Sequence, residues 1–217
     1  MLELIKAALK TSFGSISTLI FGVITTKVLA ITLGVEGIGL YSLLRSIRDT
    51  VMPLALLGGG TATIQGVASK SGDERKRYIS SVTLLMIISL IFITFGLIIF
   101  APLISQLVFK QQETQTVTLI RWLVLPLTLG VISSLFSYVL NGFRAIGRLA
   151  FIAAAGSLIL ALVAYPLARL FQSGHNLAMI GIMSIVPFSI GFLSMYFIQK
   201  EGWLGFFIPR FLSLIHI

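Results

Sequence analysis

The stretch ISSVTLLMIISLIFITFGLIIFA, Ile79–Ala101, runs for 23 residues without a charge. A helix needs roughly 20 predominantly apolar residues to cross the ~30 Å hydrocarbon core of a bilayer, so this segment reads as a transmembrane helix. Five further apolar runs flank it, at 11–33, 38–68, 117–140, 149–168 and 177–198. All are too long and too continuously apolar for the ~10-residue alternating strands of a transmembrane barrel. The expected fold class is therefore all-α: a polytopic membrane protein, with a six-transmembrane-helix bundle filling residues 1–210.

Composition points the same way. The 217 residues are 57% apolar and only 11% charged, against about 25% charged in an ordinary soluble domain. This excludes a soluble globular enzyme, which could not cover its surface, and a disordered chain, which needs low hydrophobicity and high charge. There is no cysteine, and the two histidines, His175 and His216, are far apart. Neither a disulfide framework nor a metal centre is expected. The sequence holds no glycine-rich phosphate loop with lysine, no HExxH and no aspartate pair at metal-binding spacing. No catalytic residue or cofactor is nominated, and a transporter rather than an enzyme is the expected class.

The net charge is +9. In a soluble chain that would suggest nucleic acid; here the cations sort by side of the bilayer instead, so membrane lipids are expected as partners and nucleic acid is not. Lys6, Lys10, Lys70, Arg75, Lys76, Arg77, Arg144, Arg148, Lys200 and Arg210 fall on one side of the spans, and Lys110 and Arg169 on the other, with Arg121 just inside the membrane. The positive-inside rule then places the N-terminus in the cytoplasm.

Within the spans, charge is costly and therefore informative. Lys27 lies in the first span, and Arg45, Arg48 and Asp49 in the second. Arg45 and Asp49 are an i, i+4 pair, which leaves Lys27 and Arg48 without an acid anywhere in the spans. The short linker Gly34–Gly37 makes the two spans antiparallel neighbours, with Lys27 and Arg45 at similar depth. This predicts a net-positive cavity suited to an anionic ligand, with Lys27, Arg45 and Arg48 as binding residues and Asp49 in support. A blander arrangement stays open, in which Lys27 and Arg45 snorkel to headgroups and Arg48 pairs structurally with Asp49. The second run is also too long for a simple span, and Pro53 with Gly58, Gly59 and Gly60 predicts a kink or hinge in it.

The segments TTKVLAITLG (25–34), GIGLY (37–41), LGGG (57–60) and NGFRAIGRLAF (141–151), in this order and spacing, resemble the N-terminal half of Wzx-type polysaccharide flippases of the multidrug/oligosaccharidyl-lipid/polysaccharide exporter superfamily. The nearest subtype is the flippase of O-antigen or enterobacterial-common-antigen units. The resemblance implies the N-terminal lobe of a two-lobed, MATE-like transporter in the bacterial inner membrane. It implies translocation of undecaprenyl-pyrophosphate-linked oligosaccharide by alternating access through a cationic cavity to which Lys27, Arg45, Arg48 and Asp49 contribute. The implied partners are the lipid-linked glycan, a missing C-terminal lobe and a glycan polymerase complex. Such transporters have two bundles and this chain has one, so residues 211–217, FLSLIHI, read as a truncation end. Two other functions remain open: a multidrug or organic-cation antiporter, which would need acidic residues in the bundle, and a non-transporting scaffold subunit of a glycan assembly complex.

Overall fold

The computed structural model describes residues 2–110 and 114–207. The side chains of residues 2–11 and 13, with Lys6 and Lys10 among them, and the tail with Arg210 and 211–217 lie outside the described part. All regular structure in that part is helical: α1 Leu2–Ala55, α2 Gly60–Ser69, α3 Gly72–Phe109, α4 Thr114–Trp122, α5 Val124–Gly142, α6 Ile146–Gln172 and α7 Leu177–Lys200, followed by one 3-10 turn at Leu204–Phe206. Five helical stretches are long and apolar enough to cross a membrane, α4 and α5 counting together as one. The chain is an all-α, multi-pass membrane protein.

The 54-residue α1 folds back on itself at one residue. Gly34 adopts φ 70° and ψ −174°, a left-handed φ that a side chain would resist. Drawn straight, Thr18 and Thr50 would lie about 48 Å apart. Instead both line one cleft, together with Leu29 and Ile38 from either side of Gly34. The two legs therefore run antiparallel on either side of Gly34. The expected linker at Gly34–Gly37 is thus reduced to a single non-helical residue, and the helix resumes at Val35.

The expected second span, 38–68, is not continuous. It breaks between Ala55 and Gly60. Pro53 itself stays helical; the chain turns a few residues later, where Leu57 and Gly58 both have positive φ, 53° and 61°. Orphan carbonyls at the break find donors: Gly58 N–H donates to the Pro53 carbonyl at 2.9 Å, and the Ser89 hydroxyl of α3 donates to the Leu54 carbonyl at 3.1 Å. The fourth expected span has a similar cause for its bend. Pro126 has no N–H to give the Trp122 carbonyl, and α4 passes into α5 through Leu123, whose N–H is shared between the Leu119 and Ile120 carbonyls.

The helices α4–α5 and α7 form the centre. Half of the most apolar window of each is buried, against 17–22% for α1, α3 and α6. Leu119, Ile120, Leu123, Leu127, Met179 and Ile182 belong there to one buried apolar cluster that extends to Leu29, Leu44 and Ile47 of α1. Ile87, Ile88, Ile91, Phe92, Phe95 and Phe100 of α3 stay exposed, as expected of a helix facing lipid. The first leg of α1 lies alongside α6. Gly14 meets Ala150 near the start of α6, where an added Cβ would come within 2.7 Å, and Gln172 at its end donates to the Thr32 carbonyl.

Candidate functional site

The two legs of α1, with Ser157 and Leu160 of α6 and Val186 of α7, enclose a cleft of 760 Å³. The first leg contributes Thr18, Gly22, Thr25, Thr26 and Leu29; the second contributes Ile38, Tyr41, Ser42, Arg45, Ser46, Asp49 and Thr50. These fall at i, i+3/4, i+7/8 spacings, one face of each leg. Eight of the lining residues carry hydroxyls: Thr18, Thr25, Thr26, Tyr41, Ser42, Ser46, Thr50 and Ser157. Hydroxyls and charges spread over an otherwise apolar wall let the cleft hydrogen-bond water or a polar ligand. A second cavity of 280 Å³ adjoins it, sharing Tyr41, Arg45, Leu160 and Val186 and adding Arg48, Ser133, Ser134, Met183 and Pro187 among its walls. Arg45 thus borders both.

Three of the four charges expected at the site come together. Asp49 is held from two directions. Arg48 donates to its Oδ1 through Nη2 at 2.7 Å and Nε at 3.0 Å, while Arg45 Nε reaches Oδ2 at 3.4 Å. The closer partner is therefore Arg48, not the i, i+4 residue Arg45, and Arg48 is not left without an acid. Arg48 Nη1 also donates to the Met183 carbonyl of α7 at 3.5 Å. That carbonyl is available for a physical reason: its usual donor, four residues on, is Pro187, which has no N–H. The guanidinium of Arg48 is thereby shared between a carboxylate and a proline-freed carbonyl, and its side chain is 18% exposed. Arg45 has one long contact and is 57% exposed.

Lys27 is not part of this group. At about 100° per residue it points roughly 155° away from the cleft-lining face of its own leg. It is exposed, and among the described residues no partner holds its side chain. Its expected depth also differs: seven residues before Gly34 against eleven after it for Arg45 leaves them about 6 Å apart along the legs. Pro53 and Gly58–Gly60 border neither cavity. Their contribution is the break between α1 and α2.

One feature of the cleft was not among the expected site residues in this form. Thr18 and Thr50 donate their hydroxyls to the carbonyls four residues back, Gly14 at 2.9 Å and Ser46 at 2.8 Å. Thr25 is 5% exposed and its hydroxyl has no partner, a deficit of about 1–3 kcal/mol. The site also holds no carboxylate besides Asp49, and among the described residues no group of acids, histidines or cysteines could hold a metal ion.

The family model described as polysaccharide biosynthesis protein matches residues 4–216. The chain belongs to that family. No curated protein and no solved structure matches it. Membership in the polysaccharide biosynthesis family, joined to a bundle of apolar helices around a polar cleft, fits a flippase or other membrane transporter serving polysaccharide synthesis rather than an enzyme.

Proposed function

We propose that the chain takes part in flipping undecaprenyl-pyrophosphate-linked oligosaccharide across the bacterial inner membrane, as the N-terminal lobe of a transporter with its N-terminus in the cytoplasm. The observation that carries this is the sharing of one carboxylate by two arginines in a hydroxyl-lined cleft between membrane helices. The group keeps one net positive charge. A pyrophosphate that enters the membrane must replace its water with other donors. An arginine fork supplies two at once.

The roles divide by exposure. Arg45, loosely held, is the group that meets the phosphate. Arg48 and Asp49 position it, Asp49 by limiting how tightly an anion binds and Arg48 by anchoring Asp49 to α7. Lys27 meets a different surface, that of the second lobe or a lipid headgroup. An organic-cation antiporter is disfavoured because the one acid of the cleft is already satisfied by two cations.

The test is binding of undecaprenyl pyrophosphate to the chain in lipid nanodiscs, with undecaprenol as the uncharged control. Binding should be saturable and selective for the pyrophosphate, and Arg45→Ala should weaken it by about tenfold or more, the loss of one or two charge-assisted hydrogen bonds. Equal binding of undecaprenol, or no effect of Arg45→Ala, would overturn the assignment.

A further inference from the structure

At the end of the bundle that carries the α3–α4 and α6–α7 turns lies a separate cavity of 400 Å³, between the first turns of α4 and the residues that open α7. We infer that this cavity is a saccharide subsite, which takes one neutral sugar ring of a glycan. The inference rests on the reading above only for the source of the sugar.

The chemistry of the walls carries the argument. Among the described residues no Asp, Glu, Lys or Arg lines the cavity, and its polar walls are the hydroxyls of Thr114 and Thr118, the amides of Gln115 and Asn176, and His175. Trp122 lines one side, 48% exposed, and no described aromatic ring stacks on it. An open indole face accepts the apolar C–H face of a sugar. Also on the wall, Asn176 Nδ2 donates to Gln115 Oε1 at 3.2 Å. This amide pair ties α4 to the start of α7 and leaves Asn176 Oδ1 as an acceptor and the Gln115 Nε2 hydrogens as donors. Neighbouring sugar hydroxyls, each donor and acceptor at once, match that pair. His175 has Nδ1 against the Ser173 hydroxyl at 3.1 Å, which leaves Nε2 for a further hydroxyl. An indole beside uncharged amides and hydroxyls suits a polyhydroxylated neutral ring.

The experiment uses the whole chain in nanodiscs with Trp203→Phe, which leaves Trp122 as the sole indole. Free chitotriose and mannotriose are the probes. At least one should give a saturable shift of Trp122 emission at millimolar concentration and protect the indole from iodide. Asn176→Ala should weaken that response by about fivefold or more, and Arg45→Ala should leave it unchanged. No saturable response to either trisaccharide up to about 50 mM, quenching of Trp122 by brominated acyl chains, or an unaltered response in Asn176→Ala would each overturn the subsite. If Trp203→Phe fails to fold, saturation-transfer NMR on the unmodified chain reads the same binding. Undecaprenyl-pyrophosphate binding without a sugar response sinks the subsite alone; a sugar response without pyrophosphate binding sinks the cleft reading alone.

Discussion

The cleft and the basic end of the bundle both depend on arginine, glycine and carboxylates, yet they are built to opposite ends. At the basic end several groups are closed off. Arg148 pairs with Glu201 at 2.5 Å and lies over Phe197, Arg75 lies over Phe143, and Phe143 stacks on Trp203 with centroids 3.7 Å apart. Glycines there are spaces already filled: a Cβ on Gly142 would come within 2.5 Å of Val67, and one on Gly66 within 2.2 Å of Tyr78. In the cleft, two guanidiniums share one carboxylate, a threonine hydroxyl has no partner, and a Cβ on Gly22 would meet nothing within 4 Å. The same residue types thus make a clasp where their partners are complete and a receptive surface where they are not.

The comparison breaks most easily at Gly142. Gly142→Val would drive methyl groups into Val67 and the Ile64 carbonyl, 3.1 Å from the added Cβ. Both neighbours sit on a packed helix, so relief needs backbone movement. The expected cost is about 3 kcal/mol, seen as loss of the monodisperse peak in detergent gel filtration. A normal peak and melting temperature would mean that the basic end is looser than its contacts indicate.

Asp49→Ala tests the cleft from the side of charge. It leaves Arg45 and Arg48 facing each other without a counter-ion. Removing one member of a fully buried pair costs about 3–5 kcal/mol; Asp49 is 47% exposed, and about 2 kcal/mol is expected. The same change should tighten pyrophosphate binding, since the ligand becomes the missing anion. Lower stability together with tighter binding supports the division of roles; lower stability with weaker binding would make Asp49 part of the ligand contact.

Arg148→Ala probes the clasp more gently. An ion pair about one-third exposed and one cation–π contact together amount to about 1 kcal/mol. Glu201→Gln should lose only the ion-pair share, so the difference between the two melting temperatures isolates the contact with Phe197.

The sequence shows the two regions unequally. The crossings are legible because a bilayer imposes length and apolarity on each one separately, and Ile79–Ala101 needed no partner to be read. The break after Pro53 was legible in outline, since proline and glycines weaken a helix wherever they stand. The pairing in the cleft was not. Helix geometry puts Asp49 beside Arg45 and directs neighbouring side chains apart, but Arg48 turns toward Asp49 because α7 packs above it and offers the Met183 carbonyl. That carbonyl is free because of Pro187, whose effect on Arg48 depends on a contact 135 residues away in sequence. Lys27 failed to join the cleft for a related reason: the period of a helix fixes which residues share a face, but not which face meets the second leg.

Gly22 gives the smallest effect and the sharpest separation of the two regions. It lies mid-helix in the first leg, where glycine costs roughly 0.5–1 kcal/mol relative to alanine through backbone entropy. With nothing within 4 Å of an added Cβ, Gly22→Ala should recover that energy and raise the melting temperature slightly, the opposite sign to Gly142. Gly22→Leu extends the test. Its side chain would enter the cleft beside Thr18 and Thr26 without striking a helix. Folding should therefore be unharmed while undecaprenyl-pyrophosphate binding falls. A destabilised Gly22→Ala would show that the cleft is closed in the membrane; a stable Gly22→Leu that binds the pyrophosphate normally would place the ligand elsewhere.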